Sequence, residues 1–114
     1  MKERLNYSLT LYLTKKQSVM GPEIVQLMQL IQIKGSLTLA AGALGISYNK
    51  AWRLLHHAEQ ALAQPLVVSS AGGVHGGGSN LTTEGQNLMN KYLRLQELSQ
   101  SAVEHYFQMI FEEN

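Results

Sequence analysis

The chain reads as an α+β domain, mainly α. Three observations predict this. Apolar residues recur at helical spacing in successive stretches, one leading segment alternates with period two, and a short β-type run stands on each side of a glycine-rich tract. The 114 residues fit one domain, 1–114. At 45% hydrophobic residues the chain can build a core without disulfides.

The elements follow in order. Leu5, Tyr7, Leu9, Leu11 and Leu13 alternate with polar neighbours and read as a half-buried strand, and Lys15-Lys16-Gln17-Ser18 reads as a polar connection. Pro22 suits the first turn of a helix whose face is Ile24, Leu27, Met28 and Ile31 and which Gly35 ends. Ser36 caps a short helix, Leu37 to Leu44, rich in small residues, and Gly45 supplies a left-handed turn. Ser47 caps a third helix, Tyr48 to about Ala63, with Ala51, Leu54, Leu55, Ala58 and Leu62 turned inward and Pro65 marking its end. Leu66-Val67-Val68 and Leu81-Thr82 flank a nine-residue tract, 72–80, containing five glycines, and describe a hairpin; a plain interdomain linker is the alternative.

Thr83-Glu84-Gly85-Gln86 matches a capping box, and no helix breaker follows to Glu113. Some 30 residues make about 45 Å of helix, more than so small a domain covers. Leu88, Tyr92, Leu95, Ser99, Ala102, Tyr106 and Met109 keep the four–three spacing of a coiled-coil seam, beside a second row of Met89, Leu93, Val103, Phe107 and Ile110. Two rows call for a second covering surface, so Leu88, Tyr92, Leu95, Ala102, Tyr106 and Met109 are expected to pair with another copy. The alternative is that the helix end folds back. The domain thus divides into strand, three helices and hairpin over 1–82 and a dimerisation helix over 83–114.

Helix, short helix, glycine turn, helix and hairpin is the order of a winged helix-turn-helix. Ala41, four before Gly45, is small where two helices must meet, and Ala40, Leu44, Ile46, Ala51 and Leu54 are apolar where that motif needs a core. The third helix would enter a DNA major groove N-terminus first. Ser47, Tyr48, Asn49, Lys50, Arg53 and His57 then supply donors, with His56 nearby: Arg and Lys suit guanine, Asn suits adenine. Lys34, Lys50, Arg53 and the Lys15-Lys16 pair can neutralise phosphates. Net charge agrees, since residues 1–58 carry +5 and 59–114 carry −4, with no carboxylate between Glu23 and Glu59. At the wing, the backbone of Gly73, Gly76 and Gly77 can approach phosphates closely, and His75 adds a donor. A Walker-type loop does not fit, because no Gly-Lys-Ser/Thr follows the glycines. A winged helix used to dock proteins is the rival reading.

Gly45-Ile46-Ser47-Tyr48 with Ala51-Trp52, then Gly72-Gly73, Gly76-Gly77-Gly78, Leu81-Thr82 and Gly85, resembles the N-terminal DNA-binding domain of molybdate-responsive ModE-type regulators. The helix-turn-helix part more distantly resembles LysR-type regulators. The resemblance implies a homodimer on palindromic double-stranded DNA, with the long helix contributing to the dimer. Family members continue into oligonucleotide-fold domains that bind molybdate. This sequence ends at Asn114, so molybdate is not an expected ligand of these residues. Val74-His75 stands where the family has a basic residue between the glycine clusters.

Other chemistry finds little footing. No cysteine and no aspartate are present, which removes thiol nucleophiles, cysteine-ligated metals and Asp-dependent triads. His56 and His57 point about 100° apart on a helix, so no metal and no cofactor is expected. No nucleophile elbow appears, and the chain is not expected to be an enzyme. No apolar run approaches the roughly 20 residues of a membrane span, and no signal peptide is apparent, so the expected location is the cytoplasm.

Overall fold

The computed structural model describes residues 3–70 and 78–112. A hairpin of β1 (Leu13–Lys15) and β2 (Gln17–Met20) leads into three helices, α1 (Pro22–Lys34), α2 (Leu37–Leu44) and α3 (Tyr48–Leu62). A second hairpin, β3 (Val67–Ser70) and β4 (Gly78–Leu81), precedes the long helix α4 (Thr83–Phe111). Both strand pairs are antiparallel. The architecture is a winged helix-turn-helix with a leading strand pair and a long closing helix.

Local chemistry accounts for the three central helices. Pro22 opens α1, and Gly35 ends it in the left-handed conformation. The Ser36 hydroxyl accepts from the Leu39 N–H, and the Ser47 hydroxyl from the Lys50 N–H, at 3.2 and 3.0 Å. Gly45 holds φ +71°, a conformation that costs a residue with a Cβ about 1–2 kcal/mol. This left-handed step turns α2 into α3. Met20, Leu27, Met28, Ile31, Ala40, Ala51, Ala58 and Leu66 are fully buried, so the core lies where α1, α2 and α3 converge. Ala40 and Ala41 admit a close helix approach, whereas Leu44, Ile46 and Leu54 are only partly covered.

The leading segment departs from expectation. Residues 3–12 form no strand, and Lys15-Lys16-Gln17-Ser18 is no simple connection but the end of β1, the turn and the start of β2. Of the alternating positions only Leu13 pairs in a sheet, opposite Met20, and Tyr7 and Leu11 are held by packing instead. Leu11 and Leu13 rest on the core, Tyr7 meets Phe107 in a tilted arrangement with ring centroids 4.9 Å apart, and the Tyr7 hydroxyl donates to Glu104. Leu5 and Leu9 stay exposed. Backbone bonding here is made to α4: the Tyr92 hydroxyl donates to the Leu11 carbonyl at 2.8 Å. Burial, and then Tyr12 nearby, push the Tyr92 phenol above its ordinary range.

Tyr92 therefore belongs to the chain's own core, 1% exposed, and cannot be a surface residue of a dimer seam. The helical cap also shifts by one residue. Thr82, not Thr83, is the N-cap of α4, because its hydroxyl accepts from the Gly85 N–H at 2.9 Å while donating to the Pro65 carbonyl at 2.6 Å. Gln86, freed from a capping role, accepts from the Gln32 amide across to α1 at 2.7 Å. The segments flanking the glycine tract pair as an antiparallel hairpin stem, Val67 opposite Leu81 through Ser70 opposite Gly78, as expected, while residues 71–77 lie outside the described residues.

Gly85 is fixed by close approach. A Cβ there would lie 2.2 Å from the Leu66 carbonyl oxygen, a backbone atom that cannot swing aside. Helix propensity alone would favour Ala by about 1 kcal/mol. Gly85→Ala should instead lower stability by at least about 2 kcal/mol, because steric overlap with backbone outweighs propensity. Urea unfolding checks the sign, and a more stable alanine variant would refute this packing.

Candidate nucleic-acid interface

The inward side of α3 is Ala51, Leu55 and Ala58, all buried. At about 100° per residue, Asn49 and Arg53 fall on the opposite side, with Lys50 and His57 on one flank and Tyr48 and Trp52 on the other. Ser47, Tyr48, Asn49, Lys50, Arg53 and His57 are all exposed. The helix thus presents a continuous donor surface. Tyr48 and Trp52, 51% and 47% exposed, add flat apolar area beside it, and His56 stacks on the Trp52 ring at 4.4 Å. Sequence reasoning did not select Trp52 as a contact. The only signal available was its wheel position beside Arg53.

Two carboxylates, both passed over in the sequence, shape this surface. Glu23 in the first turn of α1 forms an ion pair with Lys50 at 3.5 Å, with both side chains about half exposed. Lys50 is therefore not a lone cation, although no acidic residue lies near it in sequence. Glu59 acts on the other flank. Its Oε2 accepts from the Leu66 and Val67 N–H groups at 2.7 and 3.2 Å, tying α3 to the start of β3. That carboxylate sets the stem of the hairpin against the donor helix.

Lys34 is exposed at the last turn of α1, and it precedes Gly35, whose carbonyl accepts from the Ser79 N–H at 2.9 Å. Residue 34 therefore sits beside the base of the β3–β4 hairpin and not on α3. Gly73, His75, Gly76 and Gly77 lie outside the described residues. On α4, Leu95, Ala102, Tyr106 and Met109 are exposed, while Leu88 packs partly against the core. Leu98, missing from the four–three series, is 51% exposed on the same side of α4. Among the described residues no group of three His or Glu side chains could hold a metal ion, and no helix is long and apolar enough to cross a membrane.

Leu66 is fully buried, so its N–H has no access to water once Glu59 is lost. Glu59→Ala should cost about 2 kcal/mol in thermal or urea unfolding, from loss of two hydrogen bonds to a charged acceptor. A change within about 0.5 kcal/mol, the usual range for a surface substitution, would contradict this role.

No family model matches the chain. Curated relatives do. The chain is 36% identical over 94 residues to the DNA-binding transcriptional dual regulator ModE of Escherichia coli K12, covering 82% of this chain and 36% of that one. It is 35% identical over 80 residues to the molybdenum transport protein ModE of Azotobacter vinelandii, covering 70% and 30%. It is 40% identical over 73 residues to the molybdenum-pterin-binding protein MopB of Rhodobacter capsulatus, covering 64% and 27%. Among solved structures, ArgP of Mycobacterium tuberculosis superposes with a TM-score of 0.54 at 20% identity, over 75% of this chain and 30% of that one, a likeness of fold alone. The chain spans about a third of the length of the curated relatives it matches. Over most of its own length, this chain is a homologue of one part of the ModE-type molybdate-responsive regulators.

Proposed function

We propose that this chain is the DNA-binding part of a transcriptional regulator, acts as a homodimer, and is not an enzyme. One observation carries the reading: Asn49, Lys50, Arg53 and His57 stand exposed on the outward side of α3, free of the core. The likeness to ModE proteins, one of them named a DNA-binding transcriptional regulator, supports the same assignment. Arg53 and Asn49, at the centre of the outward side, read base edges; Lys50, His57 and Lys34 lie where phosphates run. The glycine-rich wing touches the backbone or minor groove beside them.

Glu23 tempers this surface. Its carboxylate competes with phosphate for Lys50, so a duplex must draw the lysine away from an existing partner. Arg53→Ala should weaken binding to a preferred duplex by about 10- to 100-fold, the range for loss of one bidentate base contact, with the melting temperature unchanged. Glu23→Gln should raise affinity for every duplex and steepen the dependence of log K on log salt by up to about 0.9, one phosphate's worth. Fluorescence anisotropy between about 50 and 200 mM salt measures both. Binding to duplex that lacks any salt dependence would point to a protein-docking module instead.

The dimer rests on α4. Leu95, Leu98, Tyr106 and Met109 are 43%, 51%, 54% and 63% exposed, and with Ala102 they share one side of the helix. The 29-residue helix runs about 43 Å in a molecule whose longest extent is 62 Å. A second copy of the same stripe would cover this apolar side and set two α3 helices about 34 Å apart, one turn of DNA. Leu95→Glu with Met109→Glu should yield monomers by sedimentation. A dimer that survives both charges, or a wild-type monomer, would refute the seam.

A further inference from the structure

A helix seated in a major groove has a phosphate strand on each side, and the structure flanks α3 with a hairpin on each side. Glu59 holds the β3 stem to one flank. Lys50, nine residues earlier and so about 180° around the helix, faces the other. There α3 and the β1–β2 hairpin enclose an open cleft of about 690 Å³. Lys50, Arg53 and His57 line one wall and Ser18 and Val19 the other, with Tyr12 and Glu23 closing it. The hairpin turns beyond this cleft, where Lys15 stands opposite Gln17 and Lys16 forms the tip. Both lysines are exposed, and no carboxylate lies between Glu3 and Glu23 in the sequence.

Lys16 holds φ +66°, a left-handed position that glycine would fill at lower cost. A cation is therefore kept at the tip against the local backbone preference. On these grounds we propose that the β1–β2 hairpin is a second, lysine-tipped wing. Lys15 and Lys16 bind the DNA phosphate backbone on the side of α3 away from the glycine-rich wing. Ser18, within the cleft, adds a neutral donor. The inference rests on the DNA-binding reading of α3 and deepens it: the phosphate-neutralising lysines expected from the sequence sit at the tip of a hairpin that the sequence did not predict.

The test uses the full chain with Lys15→Gln and Lys16→Gly combined. The glycine suits the observed φ, so the hairpin keeps its fold, and an unchanged or higher melting temperature verifies this. On a duplex of about 30 base pairs, the dependence of log K on log salt should become shallower by about 1.8 per protomer, two phosphates at about 0.9 each. Equivalently, the affinity gap between wild type and variant should shrink about tenfold as salt rises from about 50 to 200 mM. The ranking of duplex sequences should not change, because phosphates carry no sequence information. Lys15→Arg with Lys16→Arg should retain wild-type binding. An unchanged salt slope, or a variant that alters sequence ranking instead, would overturn the second wing while leaving α3 as the reader. A wild type with no salt-dependent binding would overturn both readings together.

Discussion

The donor helix, the hairpin stem and the long helix meet at the backbone of Leu66. Its N–H donates to Glu59 on α3, its carbonyl accepts from the Thr82 N–H at 2.9 Å, and Gly85 on α4 passes against that same carbonyl. One residue earlier, the Pro65 carbonyl accepts from the Thr82 hydroxyl that caps α4. The side chain of Leu66 is wholly buried. A single stretch of chain therefore sets the angle between the recognition surface, the wing and the proposed dimer arm. Recognition of a duplex by the proposed dimer would depend on those angles, since a helix that turns freely on its wing cannot hold one register on DNA. The Ser79 bond to Gly35 fastens the other strand of the wing to the end of α1. The wing stem is thus held on both sides before it reaches the glycines.

Electrostatics on α3 has the opposite character. Where the Leu66 junction is buried and directional, the outward side is wet, and the Lys50–Glu23 ion pair on its flank is shared between half-exposed side chains. Such a pair is worth little to stability, on the order of 0–1 kcal/mol. It is consequently free to trade partners. On the proposed reading, Glu23 withholds Lys50 from phosphate, while Lys15 and Lys16, at the hairpin tip beyond the cleft, offer two further cations. In the proposed DNA-binding role, a balance of this kind would limit binding to arbitrary DNA and leave discrimination among sequences to Arg53 and Asn49.

What could be read from sequence, and what could not, divides along the range of the forces involved. Helices α1 to α3 were legible because Pro22, Ser36, Ser47, Gly35 and Gly45 act within one turn of themselves. The first hairpin was not, since Lys16 occupies a left-handed turn without the Gly or Asn that marks one. Thr82 took the cap from Thr83 because of a hydrogen bond to Pro65, 17 residues away. Tyr92 matched the seam spacing but is claimed by Leu11, 81 residues away, and periodicity on one helix cannot see that partner. Glu59 and Glu23 escaped notice for the same reason: their partners lie on other elements. The exposed α3 residues were found from the helix start alone, because an N-cap and a 3.6-residue period fix which side chains point outward.

Residue-by-residue mapping of contact with DNA tests the central claim most directly. Backbone amide shifts of the labelled chain should be followed as a short duplex is added. Changes concentrated on 47–57 and at the base of the β3–β4 hairpin would agree with the account, with the exposed stripe of α4 silent. Shifts confined to α2 or to α4, or none at all, would contradict it.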